Sequence, residues 1–170
     1  EVNRVGESKF TSNSATPLCD YFSMTTIEGV TVKQSPKWMQ NILASHGIKC
    51  INNIVDIGNY VTLLTGQPLH MYDADKLECD TFIVKADMNA KVVALDEKEY
   101  ELVSGDLAVT NNDKVVCIAG VIGDASTMIS ETTTNIALEA ALFDGPTIMN
   151  SCKRYGILTV AATNYSKNAV

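Results

Sequence analysis

Asn135–Phe143 has the sequence NIALEAALF, in which only Asn135 and Glu139 are polar. Its length and composition suit either a buried strand or a buried helix. We predict a strand, because the segments on its N-terminal side are of β type. Successive side chains of a strand point to opposite faces, so Glu139 shares one face with Ala137 and Ala141.

Glu139 is a candidate functional residue because a carboxylate in so apolar a run is costly to bury unless it is paired. Two interpretations stay open from the residues alone. In the first, Glu139 contacts a ligand, and the small side chains of Ala137 and Ala141 leave room for that ligand. In the second, Glu139 is a charge on an edge strand that discourages aggregation.

Short β-type runs precede this stretch from Phe82 onward, separated by polar turns such as Asn111–Asp113 that predict hairpins. The run KVVCIAGVIG at 114–123 lacks the Gly-x-Gly-x-x-Gly pattern of dinucleotide-binding sites. Gly120 and Gly123 therefore indicate a bulge or a place where a ligand approaches the backbone.

Three helices are predicted around these strands. The first follows Ser35 and ends at Gly47, the second covers 51–66, and the last covers 145–156. Together with the strands they predict an α+β domain. The buried face predicted for the second helix consists of Ile51, Ile54, Val55, Gly58, Val61 and Leu64.

Composition indicates one ordinary globular domain. The chain has 170 residues, of which 46% are hydrophobic and 19% charged, and no apolar run approaches the length of a membrane span. Residues 1–16 are polar and are predicted to be a lead-in or linker to a domain at 17–170. The net charge of −7 is unusual for a protein that relies on phosphate contacts alone, so nucleic acid would meet a local patch or a larger assembly.

The five cysteines are odd in number and scattered, which favours reduced thiols in a cytosolic protein. No Cys-x-x-Cys pair or His/Cys cluster is present, so no metal site is predicted. Of the two histidines, His46 lies at a helix end and is interpreted as structural. His70, within TGQPLHMYD at 65–73, is on residue type alone more often a hydrogen-bonded structural residue than a catalytic one.

Four longer stretches change that interpretation when they are considered together. In order and spacing they resemble the editing module of the bacterial phenylalanyl-tRNA synthetase β subunit, over roughly 35–167. The resemblance implies helices packed on a β-sandwich-like core of short mixed strands, in a single domain excised from a larger subunit. The stretches are SPKWMQNILASHGIKCINNIVDIGNYVTLLTGQPLHMYDADKL, IAGVIGDAST, TTTNIALEAALF and RYGILTVAAT.

The family's activity and partners follow from that resemblance. The module would hydrolyse the ester of tyrosine misattached to phenylalanine tRNA. The parent enzyme would ligate phenylalanine to its tRNA in the cytoplasm with ATP and magnesium, whereas this domain would need no cofactor. The expected partners are the mischarged tRNA, the α subunit and the other β-subunit domains, with no membrane.

The resemblance also implies roles for particular residues. His70 matches the histidine near the scissile ester, and Asn59 matches a polar side chain on the pocket wall; both are predicted to be catalytic. Glu139 matches the glutamate that recognises the phenol. The other predicted substrate-binding residues are Lys49, Gly120, Gly123, Thr159 and Ala161.

Some positions depart from the family pattern and keep other functions open. Lys49 replaces the usual arginine, which loses bidentate geometry, and Gly58 replaces the usual threonine. The C-terminal segment also differs, at Ala162, Asn164 and Asn168. A degenerate editing domain that only packs the subunit and binds tRNA is therefore one alternative, and a stand-alone amino-acid sensor is another.

Overall fold

The computed structural model describes residues 8–167, which form an α+β structure with ten strands and four helices. Residues 1–7 and 168–170, among them Asn168, lie outside the described residues. The strands are β1 Thr11–Ser14, β2 Cys19–Glu28, β3 Leu69–Asp73, β4 Thr81–Lys85, β5 Ala90–Val93, β6 Glu99–Leu102, β7 Ala108–Asn111, β8 Lys114–Ile118, β9 Ile122–Gly123 and β10 Asn135–Phe143. The helices are α1 Lys37–Ser45, α2 Asn53–Thr65, α3 Gly145–Tyr155 and α4 Val160–Lys167.

A three-stranded sheet has β10 at its centre, with β2 and β3 antiparallel on either side. The strand predicted for 135–143 is thus confirmed, but Glu139 lies on a central strand and not on an edge. Its register places Glu139 opposite Met24 of β2 and opposite His70 of β3.

The two faces of this sheet are covered by different layers. Ala137 and Ala141 point into the main core, as does Tyr72 of β3. On the opposite face, Ile136 packs against Ile54 of α2. Because Glu139 and His70 have the same strand parity as the first set, both point toward the main core and away from α2.

A five-stranded sheet, in the order β1-β4-β7-β8-β9, supplies the other side of the main core. Its β7–β8 hairpin turns at Asn112 and Asp113, whose φ angles of 53° and 59° suit the tight turn predicted there. The polar lead-in predicted for 1–16 contains β1, which pairs in parallel with β4. That part of the lead-in therefore belongs to the sheet.

Helix α2 forms where predicted but buries a different stripe. Ile54, Gly58 and Thr62 are buried, whereas Ile51 and Leu64 are 67% and 66% exposed. The predicted burial of Ile54 and Gly58 is confirmed, but that of Ile51 and Leu64 is wrong, because Ile51 precedes the helix and Leu64 faces solvent in its last turn. Asp56 is buried on a different side of the helix, where its carboxylate accepts hydrogen bonds from the Ser35 Oγ at 2.6 Å and the Ile51 backbone N–H at 2.9 Å.

The C-terminal part holds one helix more than predicted. Helix α3 is capped by Asp144 and ends at Gly156, as its punctuation predicts. The prediction that it is the last helix is wrong, because α4 follows at Val160. Its start was missed because it has no proline or glycine signal, and Thr159 supplies the cap by accepting from the Ala162 N–H at 3.3 Å. No helix of residues 8–167 has the length and apolarity to span a membrane.

A buried carboxylate joins α3 to the β6–β7 loop. Asp106 is 1% exposed and accepts hydrogen bonds from the Ser151 and Tyr155 hydroxyls, each at 2.6 Å, and from the Arg154 guanidinium. Burial alone would raise the pKa of Asp106, but the hydrogen bonds from Ser151 and Tyr155 outweigh it and hold that pKa below 3.8.

We expect Asp106→Asn to lower the free energy of unfolding by about 1–3 kcal/mol at pH 7, because the amide cannot accept from all these donors. Since the folded pKa is depressed, the contribution of ionised Asp106 is complete above the ordinary value and is lost as pH falls through the folded one. Urea unfolding at pH 7 and at about pH 3 measures this, and the difference from wild type should shrink at low pH. The exposed Asp20→Asn is the control; equal urea midpoints for Asp106→Asn and wild type at pH 7 would contradict the expectation.

Candidate functional site

A small cavity of about 50 Å³ lies between the three-stranded sheet, the β8–β9 turn and α4. This volume is several times what one water molecule needs. Five of the eight predicted site residues line it: His70, Gly120, Gly123, Glu139 and Ala161. A larger open groove of about 550 Å³ between β5 and β8 is lined by none of the eight.

Glu139 is 3% exposed, and its Oε1 accepts a hydrogen bond from the Tyr72 hydroxyl at 2.7 Å. Among residues 8–167, Tyr72 is the hydrogen-bond partner of this carboxylate, and no fully buried side-chain oxygen or nitrogen is left unpaired. The second oxygen therefore opens to the cavity. Burial raises the pKa of Glu139 to about 7, and the hydrogen bond from Tyr72 partly offsets that rise.

His70 is directly opposite Glu139 on the neighbouring strand, a pairing that places Cβ atoms about 5 Å apart. Its ring is half-buried and meets the Tyr72 ring edge-on, with centroids 4.5 Å apart. Burial lowers the pKa of His70 to about 4, against a smaller opposing effect of Asp124. Neither ring nitrogen has a hydrogen-bond partner within the described part of the chain, so His70 is a neutral imidazole open to the cavity and not a hydrogen-bonded structural histidine.

Both cavity glycines are required by contacts within the protein. A Cβ on Gly123 would lie 2.5 Å from Cε1 of His70, so the imidazole occupies the space that a side chain would fill. Gly120 has a φ of 70°, and a Cβ there would lie 2.8 Å from Cδ1 of Ile148 on α3. The glycines thus allow the β8–β9 turn to pack closely against β3 and α3.

Helix α4 forms the remaining wall of the cavity. Ala161 lines it, whereas the Thr159 hydroxyl donates to the Val121 carbonyl at 2.7 Å and so joins the start of α4 to the β8–β9 turn. Tyr165 also lines the cavity and donates from its hydroxyl to the Ala141 carbonyl at 3.2 Å. Of the predicted pair, Ala161 contacts the cavity and Thr159 positions the helix that carries it.

Lys49 and Asn59 are not among the cavity-lining residues. Lys49 is exposed in the α1–α2 loop, and Asn59 is half-buried on α2, which lies on the other face of the three-stranded sheet. Gly58, the other departure on α2, packs against the sheet, and a Cβ there would lie 3.2 Å from Cε of Met71. The roles proposed for Lys49 and Asn59 stay predictions.

Sequence reasoning missed Tyr72 and Cys117, which surround Glu139 together with Tyr165. The signal for Tyr72 was present, because it lies two residues after His70 and a strand puts such residues on one face. No strand was predicted for this segment, which forms β3 in the structure. Asp73 lies outside the cavity; it accepts from the Thr133 hydroxyl at 2.7 Å and caps the short 3-10 turn Ala74–Lys76.

All five cysteines are free, and residues 8–167 contain no group of three or more His, Cys, Asp or Glu side chains that could hold a metal ion. The Cys117 thiol lines the cavity, and burial raises its pKa well above the ordinary value. A thiol held in its protonated form is a poor nucleophile. The ionisable side chains left for chemistry in this cavity are therefore His70 and Glu139.

The B3/4 domain family matches residues 18–169. The chain is 38% identical over 98% of its length to the phenylalanine–tRNA ligase beta subunit of Lactococcus lactis, of which the match covers 21%. It is 43% identical over 88% of its length to that of Synechocystis, of which the match covers 19%. The chain thus spans about a fifth of the length of these relatives, and the resemblance found in the sequence is confirmed.

A crystal structure of an N-terminal fragment of the phenylalanyl-tRNA synthetase β subunit from Pyrococcus horikoshii has the same fold. The TM-score is 0.58 at 12% identity, and the match covers 92% of this chain and 52% of that one. At so low an identity the match shows the fold alone, and this shared fold confirms the predicted α+β class.

We expect Gly123→Ala to destabilise the protein by about 1–3 kcal/mol, because the new methyl group collides with the His70 ring. Urea unfolding measures the loss, and the NMR shift of the His70 Cε1 proton reports displacement of the ring. Gly58→Ala is the matched control, since its methyl group meets only the flexible end of Met71. Unchanged stability together with an unchanged His70 shift in Gly123→Ala would show that the contact is not as described.

His70 should titrate near pH 4 by NMR, because burial disfavours the imidazolium. The unfolded chain takes up this proton near pH 6.5, so the unfolded state binds more protons between the two values. Stability should therefore decrease as pH falls from about 6.5 to about 4, and His70→Gln should remove that part of the decrease. Titration of His70 at its ordinary pKa would contradict this expectation.

Proposed function

The chain belongs to the B3/4 domain family, and we propose that it is the editing domain of a phenylalanine–tRNA ligase β subunit. Its reaction would be hydrolysis of the ester that joins tyrosine to phenylalanine tRNA. One observation carries the proposal: a buried carboxylate and a neutral imidazole stand opposite each other on adjacent strands and both line one cavity. The similarity to ligase β subunits supplies the substrate class.

Selection would depend on Glu139. Phenylalanine and tyrosine differ by one hydroxyl, and an apolar synthetic pocket cannot fully exclude the larger side chain. In the cavity described above, the open oxygen of Glu139 can accept a hydrogen bond from the phenol of tyrosine. Phenylalanine would cover the same oxygen and leave it unpaired, which is the costly outcome. The site would therefore favour tyrosine by penalising phenylalanine.

Hydrolysis would use water as the nucleophile. The water oxygen attacks the carbonyl carbon of the ester, the bond from that carbon to the ribose oxygen breaks, and the ribose oxygen takes up the proton that the water loses. His70 can hold the water through an unpaired ring nitrogen, but its pKa of about 4 makes it a weak base. Orientation and electrostatic complementarity would thus contribute more than proton abstraction.

The other functions of the enzyme would lie elsewhere in a longer subunit and its partners. The chain matches about a fifth of its relatives, and its net charge is −7. An acidic domain is poorly suited to hold tRNA by itself. We therefore propose that the α subunit and other β-subunit domains bind the tRNA and carry out the ATP- and magnesium-dependent ligation in the cytoplasm.

A second candidate is a degenerate editing domain that serves structure and tRNA binding. It is favoured by the positions of Lys49 and Asn59, neither of which lines the cavity. If both were needed for hydrolysis, their placement would leave the site without them. Deacylation by the assembled enzyme distinguishes the two candidates.

We expect the intact αβ enzyme to deacylate tyrosyl-tRNA, and Glu139→Ala to abolish the preference for tyrosine over phenylalanine, a loss of about tenfold or more. His70→Ala should lower the deacylation rate with less effect on the preference. The assay measures kcat/KM for release of tyrosine and of phenylalanine from phenylalanine tRNA.

Glu101→Ala, at an exposed position on β6, is the matched control and should leave both values unchanged. Full tyrosine selectivity in Glu139→Ala would show that the role given to Glu139 is wrong. Absence of deacylation by the wild-type enzyme would favour the degenerate domain.

A further inference from the structure

We propose that Tyr72 is a specificity-determining positioning residue of this site. Its hydroxyl occupies one oxygen of the Glu139 carboxylate, so that a single oxygen is left to recognise the phenol of the substrate. The inference rests on the proposed editing function, since it concerns how the same cavity tells tyrosine from phenylalanine. It also predicts that loss of the Tyr72 hydroxyl changes the pKa of Glu139, which can be measured without any hydrolysis.

The geometry follows from the register of β3 and β10. Tyr72 is the strand partner of Ala137, two residues from the Glu139–His70 pair. Because alanine is small, the Tyr72 side chain can lean along the sheet toward Glu139, as far as a hydrogen bond of 2.7 Å. Diagonal neighbours at this spacing are within reach of an aromatic side chain.

Packing fixes the Tyr72 hydroxyl in place. The residue is fully buried, and its ring contacts those of His70 and Phe82 with centroid distances of 4.5 Å and 5.5 Å. Burial together with the nearby Glu139 raises the pKa of the Tyr72 phenol well above its ordinary value, so the hydroxyl keeps its proton and donates. A donor held in this way restrains the carboxylate that accepts from it.

Selectivity depends on how many oxygens of the Glu139 carboxylate are free to accept a hydrogen bond from the substrate. With Oε1 engaged, the pKa of Glu139 stays at about 7, so the charged carboxylate is populated at neutral pH. A phenyl group that covers its open oxygen in that form meets the penalty of an unpaired buried charge. Without the Tyr72 hydroxyl, the buried carboxylate would favour its protonated form and could turn. A neutral carboxyl is penalised less by phenylalanine, so discrimination would decrease.

The other groups around Glu139 do not supply a replacement charge. Burial raises the pKa of the thiols on β2 and β8 and of the phenol on α4, so these stay protonated at neutral pH, and burial keeps the imidazole on β3 neutral. The carboxylate after β9 raises the pKa of the imidazole and that of the β8 thiol. In the order given, these groups are the thiols of Cys19 and Cys117, the phenol of Tyr165, the imidazole of His70 and the carboxylate of Asp124.

Tyr72→Phe tests the proposal, because it removes one oxygen atom and keeps the ring. In the αβ enzyme, we expect the kcat/KM ratio for tyrosyl- over phenylalanyl-tRNA deacylation to fall about tenfold. The fall should arise mainly from faster hydrolysis of the phenylalanyl ester. In carboxyl-labelled protein, the ¹³C signal of Glu139 should titrate above the wild-type value of about 7. Tyr100→Phe, which removes a phenol that donates to Asp96, is the matched control and should change neither result.

A double-mutant cycle separates positioning from a general structural effect. If Tyr72 acts through Glu139, Tyr72→Phe should have no further effect on selectivity when Glu139→Gln is already present. Urea unfolding of each variant confirms that the folded protein is being assayed.

Two outcomes overturn the proposal in distinguishable ways. If the wild-type enzyme is selective and Tyr72→Phe leaves both the ratio and the Glu139 titration unchanged, the role of Tyr72 is wrong and the editing function stands. If the wild-type enzyme does not deacylate tyrosyl-tRNA, the editing function fails and the specificity role fails with it, while the Glu139 titration still reports whether the hydrogen bond holds the carboxylate.

Discussion

The antiparallel pairing of β10 with β3 is the constraint on which the rest of the site depends. Its register sets Glu139 opposite His70 and Tyr72 opposite Ala137. A slip of β3 by one residue would turn His70 and Tyr72 to the face that α2 covers, away from Glu139. Because α2 packs Ile54 against Ile136 on that face, burial of apolar surface on one side of the sheet specifies which polar groups reach the cavity on the other.

Much of this arrangement could be predicted from the sequence, because strand and helix periods are local properties. The strand at 135–143 and the face of Glu139 followed from composition and alternation. The burial of Asp56 on α2 did not follow, because its hydrogen-bond partners, Ser35 and the Ile51 backbone, lie outside the helix. The spacing of apolar residues does not predict the burial of a carboxylate when hydrogen bonds from outside the helix offset its desolvation.

The parts of the site that were missed depend on contacts between distant segments. Tyr72 meets Glu139 across 67 positions of sequence, and Thr159 fastens α4 to Val121 across 38. Local alternation gives the face of Tyr72 but not its partner Glu139, and the contact of Thr159 with Val121 has no short-range signature. The glycine at position 123 indicated that some group lies close to the backbone, but not which group. In the structure that group is the His70 ring of the same protein, not a ligand. Only the fold identifies the partner.

Burial shifts the pKa values of the two cavity residues in opposite directions. Desolvation raises the pKa of Glu139 to about 7 and lowers that of His70 to about 4, so each is pushed toward its neutral form. For His70 this leaves a neutral ring that can hold a water molecule without competing for a proton. For Glu139 the same force would also remove the charge that makes an unpaired oxygen so costly, and the Tyr72 hydroxyl opposes that loss. A site built from burial alone would therefore discriminate poorly, and the added donor shifts the carboxylate toward the charged form in which one hydroxyl on the substrate matters most.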